Sequence, residues 1–108
     1  MKQPIRITVD PLCSLGYIEY REPSDRDGYR DVVREVDGHV QEYSGEDDFG
    51  PDCASVMVWF DADDEIVAFE IICIDDPLEV ALARDYARDN DLAFPSDIRA
   101  AAARDPAA

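Results

Sequence analysis

The sequence predicts an α+β fold: a curved antiparallel sheet of four to six strands with a C-terminal helix packed on one face. Two observations support this prediction. Up to residue 74, short runs of β-branched and aromatic residues alternate with turn residues. A helix start follows at Asp76-Pro77, with apolar residues at helical spacing behind it. The length of 108 residues suits one domain, so we expect a single domain over 1–108, with 105–108 frayed.

Six segments have the composition of strands and are separated by polar or turn-forming residues. These segments are 5–9, 15–20, 32–36, 39–43, 56–60 and 66–74. Asp10-Pro11 ends the first strand, because proline has no N–H to donate to a sheet. Asp37-Gly38 and the acidic stretch 61–65 each predict a hairpin between the segments that flank them.

The fifth segment is apolar on both of its faces. Val56, Val58 and Phe60 share one face. Met57 and Trp59 share the other. This pattern predicts a central strand covered on both sides, or contact with another subunit. We therefore name Met57 and Trp59 as candidate interface residues, since Met and aromatic side chains are enriched at interfaces. Ordinary core packing beneath the helix is the alternative.

The helix start has the features of a capping box. Asp76 is placed to cap, Pro77 occupies a position that needs no N–H, and Glu79 is placed to reach back to the cap. We expect the helix to end near Asn90, and a short alanine-rich helix to follow from a cap at Ser96. The stripe expected to lie on the sheet consists of Leu78, Ala81, Leu82 and Tyr86.

The charge balance excludes some classes of partner. There are 26 acidic and 10 basic side chains, so the formal net charge is −16. Such a charge repels phosphate backbones and anionic membranes, so we expect no direct nucleic-acid binding and no membrane attachment. It favours solubility and a basic protein partner. A GC-rich genome or a salt-loving host explains the same composition without any function.

Cysteine usage and the N-terminal residues indicate a cytoplasmic protein. The three cysteines, Cys13, Cys53 and Cys73, are odd in number and far apart, which argues against a disulfide framework and against a zinc site. The first residues contain no apolar run of the signal-peptide kind. The longest mostly apolar stretch, 66–74, is too short to span a bilayer.

The acidic turn offers the nearest approach to a metal site. Asp61, Asp63 and Asp64 are weak candidates for calcium, but Ile72 stands where an EF-hand loop needs a glutamate. A solvated hairpin turn whose like charges discourage edge pairing is the favoured interpretation. We expect no metal and no cofactor.

Catalytic candidates are few. His39 is the one histidine, and Glu70 is the one acid within an apolar strand, where a perturbed pKa is most expected. With Tyr86 they would be the polar groups of a cleft between sheet and helix, in a small enzyme or a ligand-binding domain. The alternative for Glu70 is an outward-facing residue or a partner for an arginine, which leaves the enzyme prediction weaker than the non-enzymatic one.

Two segments together resemble the domain of unknown function 2283 family. The matching residues are Val9-Asp10-Pro11, Tyr17-Ile18, the acidic stretch 61–65 and Glu70-Ile71. The resemblance covers about half of the chain. It implies a small antiparallel sheet without an established enzymatic role, and it suggests an antitoxin-like or regulatory association with a protein partner.

These observations together predict a small, acidic, non-enzymatic protein-interaction domain. It would bind a basic protein or form a homodimer through its sheet. An enzyme or ligand-binding domain is one alternative. A nucleic-acid mimic that occupies a basic groove is another alternative, and the net charge is the one observation that supports it.

Overall fold

Six strands and two helices make up the part of the chain that the computed structural model describes, which is residues 1–21, 32–37, 40–44, 55–60 and 65–104. The strands are β1 (Arg6–Val9), β2 (Gly16–Glu19), β3 (Val32–Asp37), β4 (Val40–Ser44), β5 (Val56–Phe60) and β6 (Ile66–Ile71). The helices are α1 (Pro77–Asp89) and α2 (Ile98–Arg104). The predicted α+β class is confirmed. The predicted fraying of 105–108 lies outside the described residues.

The strands form one sheet in the order β1-β2-β6-β5-β4-β3. Neighbouring strands run antiparallel, as predicted, with one exception: β4 and β5 pair in parallel. Both predicted hairpin pairings, β3 with β4 and β5 with β6, are present. The sequence pattern did not predict the parallel pair, because side-chain alternation is the same for either strand direction.

The core lies between the sheet and the two helices. Phe69 and Ile71 on β6 are fully buried, and the ring of Phe69 meets the edge of Tyr86 on α1 at 5.7 Å between centroids. Helix α2 packs against β1. The remaining buried members of this cluster are Ile18, Tyr20, Val40, Val56, Val58, Ala83, Ala87, Leu92 and Ile98.

Helix α1 starts as predicted, but Glu79 in its first turn forms a different hydrogen bond from the expected one. Asp76 accepts a hydrogen bond from the Leu78 N–H at 2.9 Å, as an N-cap does. Glu79 does not complete a capping box with Asp76. Its carboxylate accepts instead from the Cys73 N–H at 3.0 Å, which fixes the connection between β6 and the helix.

The predicted apolar stripe of α1 is partly wrong. Ala83 and Ala87 are the fully buried residues of the helix, whereas Leu78 is 57% exposed. Leu82 and Tyr86 pack against the core as expected. Alanines at these two positions let the helix approach the sheet closely. The small residues therefore face the sheet, and the larger ones flank them.

The end of α1 is closed by a Schellman motif. The Leu92 N–H donates to the Ala87 carbonyl at 2.9 Å, and the Asp91 N–H donates to the Arg88 carbonyl at 3.1 Å. Asp91 has φ 59°, the left-handed conformation that this motif requires after the C-cap Asn90. The motif turns the chain so that Leu92 is buried in the core.

Tyr20 joins the sheet to the segment between the helices. Its hydroxyl donates to the Ala93 carbonyl at 2.7 Å, and its ring meets the edge of Phe69. Burial raises the pKa of this phenol. In the following helix, α2, the Ala100 N–H is capped by the side chain of Asp97 at 3.0 Å, one residue beyond the predicted Ser96.

The junction of β2 with the β6–α1 connection is closely packed. A Cβ atom on Gly16 would lie 2.6 Å from Cγ2 of Ile74, a contact that real Cβ atoms do not make. Ile98 of α2 lies close to the same point. Glycine therefore allows α2 and the connection to approach the sheet at this point.

Candidate interaction surface

The side of the sheet opposite the helices forms a separate surface, which we call the outer face. Because successive residues of a strand point to opposite sides, and Phe69 points to α1, its neighbours Ala68 and Glu70 point away from the helices. The strand register then assigns the rest of the outer face. Its described members are Arg6, Thr8, Tyr17, Glu19, Met57, Trp59, Ala68 and Glu70.

Glu70 lies at the centre of this surface. Tyr17 on β2 and Met57 on β5 stand directly opposite it on either side. Ala68 and Ile72 lie two residues away along the same chain segment. Met57 is 6% exposed and Ile72 is 36% exposed, so the surroundings of the half-buried Glu70 combine covered and accessible apolar groups.

A second row of the outer face carries the aromatic ring of Trp59. Glu19, Ala68 and Trp59 are cross-strand neighbours in this row. Glu19 forms an ion pair with Arg6, with 2.6 Å between the Glu19 Oε2 and a guanidinium nitrogen of Arg6. Both side chains are mostly buried. Glu70 differs from Glu19, because its carboxylate has no hydrogen-bond or ion-pair partner within the part of the chain that the structure describes.

The predicted interface residues lie together on the outer face. Met57 and Trp59 are both on β5, and their side of the sheet is the one away from α1 and α2. Val56 and Val58 take the side beneath the helices. The structure therefore gives Met57 and Trp59 a place apart from the helix-packed core.

The predicted catalytic residues are not brought together. Glu70 lies on the outer face, whereas Tyr86 packs on Phe69 at the opposite face. The sheet itself separates the two side chains. His39 lies outside the described residues, as do Asp61, Asp63 and Asp64 of the acidic turn.

A polar cluster joins three separate segments near the start of α1. Asp75 forms a two-pronged ion pair with Arg99 of α2 and accepts from the Ser14 hydroxyl at 2.8 Å. The Ser14 bond and the Arg99 guanidinium lower the pKa of Asp75. Ser14 has φ 58°, and its carbonyl accepts from the Ile74 N–H. The cluster is solvent-exposed, and the lowered pKa of Asp75 makes its carboxylate a weak proton acceptor for the Ser14 hydroxyl, so we interpret the cluster as a structural contact at the surface.

This cluster was missed in the sequence because its members are far apart in the chain and none sits in a motif. Only the fold brings Ser14, Asp75 and Arg99 together. The positive φ of Ser14 has no signal in the sequence, since serine is not the residue expected in a left-handed conformation.

The described residues offer little else for ligand chemistry. They contain no group of three or more His, Cys, Asp or Glu side chains placed to hold a metal ion. Cys13 is exposed and Cys73 is half-buried, and both are free thiols. Three depressions lined by described residues, beside Phe94, Arg99 and Asn90, are shallow, and the one beside Phe94 holds about 230 Å³. None of the described helices has the length and apolar character needed to cross a membrane.

Comparison with known proteins gives no relative from which a function can be carried over. No family model, no curated protein and no solved structure matches this chain. The resemblance to the domain of unknown function 2283 family stays a prediction from the residues quoted above.

Proposed function

We propose that this chain is a non-enzymatic interaction domain that binds a basic protein through its outer face. The observation that carries the proposal is the position of the half-buried Trp59 beside the buried Met57, on the side of the sheet away from both helices. Apolar and aromatic side chains gathered on one surface are typical of the centre of protein interfaces.

The charge of the chain selects the partner. With a net charge of −16, association with a positively charged protein is favoured in both rate and affinity. A homodimer would bring two such chains together and add their repulsion. We therefore favour a basic partner over self-association, and we expect a monomer in sedimentation experiments at low salt.

The other predicted functions have less support. An enzyme with a cleft between sheet and helix would need Glu70 and Tyr86 on the same side of the sheet, and they lie on opposite sides. Nucleic-acid mimicry draws on net charge alone. An antitoxin-like or regulatory role is compatible with the proposal, and it rests on the family resemblance.

A paired-variant capture experiment tests the proposal. The immobilised protein is exposed to native cell extract as wild type, as Trp59→Ala and as Leu78→Ala. Leu78 is the matched control because it is an exposed apolar residue of α1, away from the outer face. We expect wild type and Leu78→Ala to retain the same basic protein in stoichiometric amount, and Trp59→Ala to retain about a tenth or less.

Salt provides the second readout. Raising the ionic strength from about 0.1 M to about 1 M shortens the Debye length from about 10 Å to about 3 Å, so the retained protein should elute. Equal retention by both variants would show that the outer face is not the interface. Failure to retain any stoichiometric protein would contradict the proposed function itself.

A further inference from the structure

We propose that the partner places an arginine side chain against Glu70, at the centre of the outer face. This inference rests on the proposed function and adds the chemistry of its central contact. It arises from the juxtaposition of one carboxylate with Tyr17 and Met57 across the strands and with Ala68 and Ile72 along the chain.

Covering Glu70 with a partner costs hydration free energy. A carboxylate that is taken out of water without a partner loses several kcal/mol of hydration free energy. The described part of the chain supplies Glu70 with no hydrogen-bond donor or cation, whereas Glu19 nearby already has Arg6. Met57 and Ala68 are already buried, whereas Ile72 and Glu70 stay partly accessible. A partner that covers Ile72 and Glu70 is therefore expected to bring the donor itself.

A second copy of the chain is disfavoured as the occupant of the outer face. Two outer faces packed against each other would bring two Glu70 carboxylates towards one apolar surface. Like charges in such a place disfavour association. The net charge of −16 on each chain adds long-range repulsion to this local term.

The aromatic neighbours of Glu70 favour an arginine over a lysine on the partner. Tyr17 stands directly beside Glu70, and Trp59 lies diagonally across the neighbouring strand. A guanidinium is planar and stacks on aromatic rings while it donates two parallel hydrogen bonds to a carboxylate. An ammonium group has stronger hydration and lacks that fork, so it gains less at the same position.

The test uses two synthetic peptides of equal length, in which valine alternates with either arginine or lysine. Trp59 is the one tryptophan of the chain and lies on the outer face, so its fluorescence reports binding there. Glu70→Gln is compared with Asp89→Asn, because Asp89 is a highly exposed residue at the end of α1. Both substitutions remove one negative charge, and the comparison therefore cancels the long-range effect of charge.

We expect Glu70→Gln to weaken binding of the arginine peptide at least about tenfold, and Asp89→Asn to weaken it less than about threefold. Wild type should bind the arginine peptide more tightly than the lysine peptide. Glu70→Asp keeps the charge, so it should lose less affinity than Glu70→Gln. Circular dichroism and urea unfolding establish that each variant is folded.

The outcomes separate this inference from the proposed function. If the arginine peptide changes Trp59 fluorescence but Glu70→Gln and Asp89→Asn weaken binding equally, the Glu70 contact is wrong and the outer face remains the interface. If the two peptides bind equally well, the preference for arginine is wrong. If neither peptide binds, both proposals fail together.

Discussion

The two faces of β6 use alternate residues of one strand for different purposes. Phe69 and Ile71 are fully buried against the helices, and their neighbours across the strands are apolar. Ala68 and Glu70 face the other way, where charged and aromatic side chains stand together and no described helix packs. The comparison shows that the helix side forms the main apolar core, whereas the outer face combines the buried Met57 and Ala68 with the half-buried Tyr17, Trp59 and Glu70.

The largest expected effect tests which face carries the stability. Phe69→Ala should lower the free energy of unfolding by about 3–5 kcal/mol, because it removes a fully buried ring that touches Tyr20 and Tyr86. Trp59→Ala should cost about 1 kcal/mol, since its ring is half-buried and off the helix-packed core. Urea unfolding followed by circular dichroism measures both. Equal losses would show that the outer face is a second core.

An intermediate effect concerns the hydroxyl that ties the helix side together. Tyr20→Phe should cost about 1–2 kcal/mol, because the Ala93 carbonyl loses its buried donor. Tyr17→Phe on the outer face is the control and should cost less, because Tyr17 is only half-buried whereas Tyr20 is fully buried. Stability curves in urea at pH 7 compare the two.

Tyr20→Phe should also change how the free energy of unfolding depends on pH. Burial raises the pKa of Tyr20 above its ordinary value of 10.0, so the folded protein keeps a proton that the unfolded chain releases. The resulting stability is complete below about pH 10 and is lost as the pH rises further. Tyr20→Phe should remove this alkaline loss, whereas Tyr17→Phe should retain it. An unchanged alkaline slope in Tyr20→Phe would contradict the assignment.

The smallest effect has the opposite sign. Glu70→Leu should raise the free energy of unfolding by about 1 kcal/mol, since it replaces a half-buried carboxylate among apolar neighbours. The same variant should lose binding of the arginine peptide. Urea midpoints compare it with Asp89→Asn, for which little change is expected. A loss of stability in Glu70→Leu would show that the carboxylate has a role within the fold itself.

Much of the fold was predictable because it depends on local patterns. Alternation of apolar residues located the strands to within a few residues, and Asp76-Pro77 located the start of α1. Strand β6 ends at Ile71, before the predicted residue 74, because the chain there turns to meet Glu79. Local patterns did not predict the parallel pairing of β4 with β5, which depends on how distant segments meet.

The candidate surface was predictable only in part. Alternation put Met57 and Trp59 on one side of β5, but it could not say which side the helices would cover. Hydropathy favoured Leu78 over Ala83 for the buried stripe, whereas close packing favoured the smaller residue. The neighbours of Glu70 come from the register between β2, β6 and β5, and no spacing in the sequence encodes that register.

The position of β6 between β2 and β5 has a consequence for how the chain folds. The β5–β6 hairpin needs only a short turn, but pairing β2 with β6 must wait until the chain has brought together segments that β3, β4 and β5 separate. Closing such a long loop costs entropy before any contact compensates for it, which slows folding. Until that step, we expect one edge of β6 to stay unpaired beside Phe69 and Ile71, and we expect the nascent hairpin to be the stage at which this protein is most prone to aggregate.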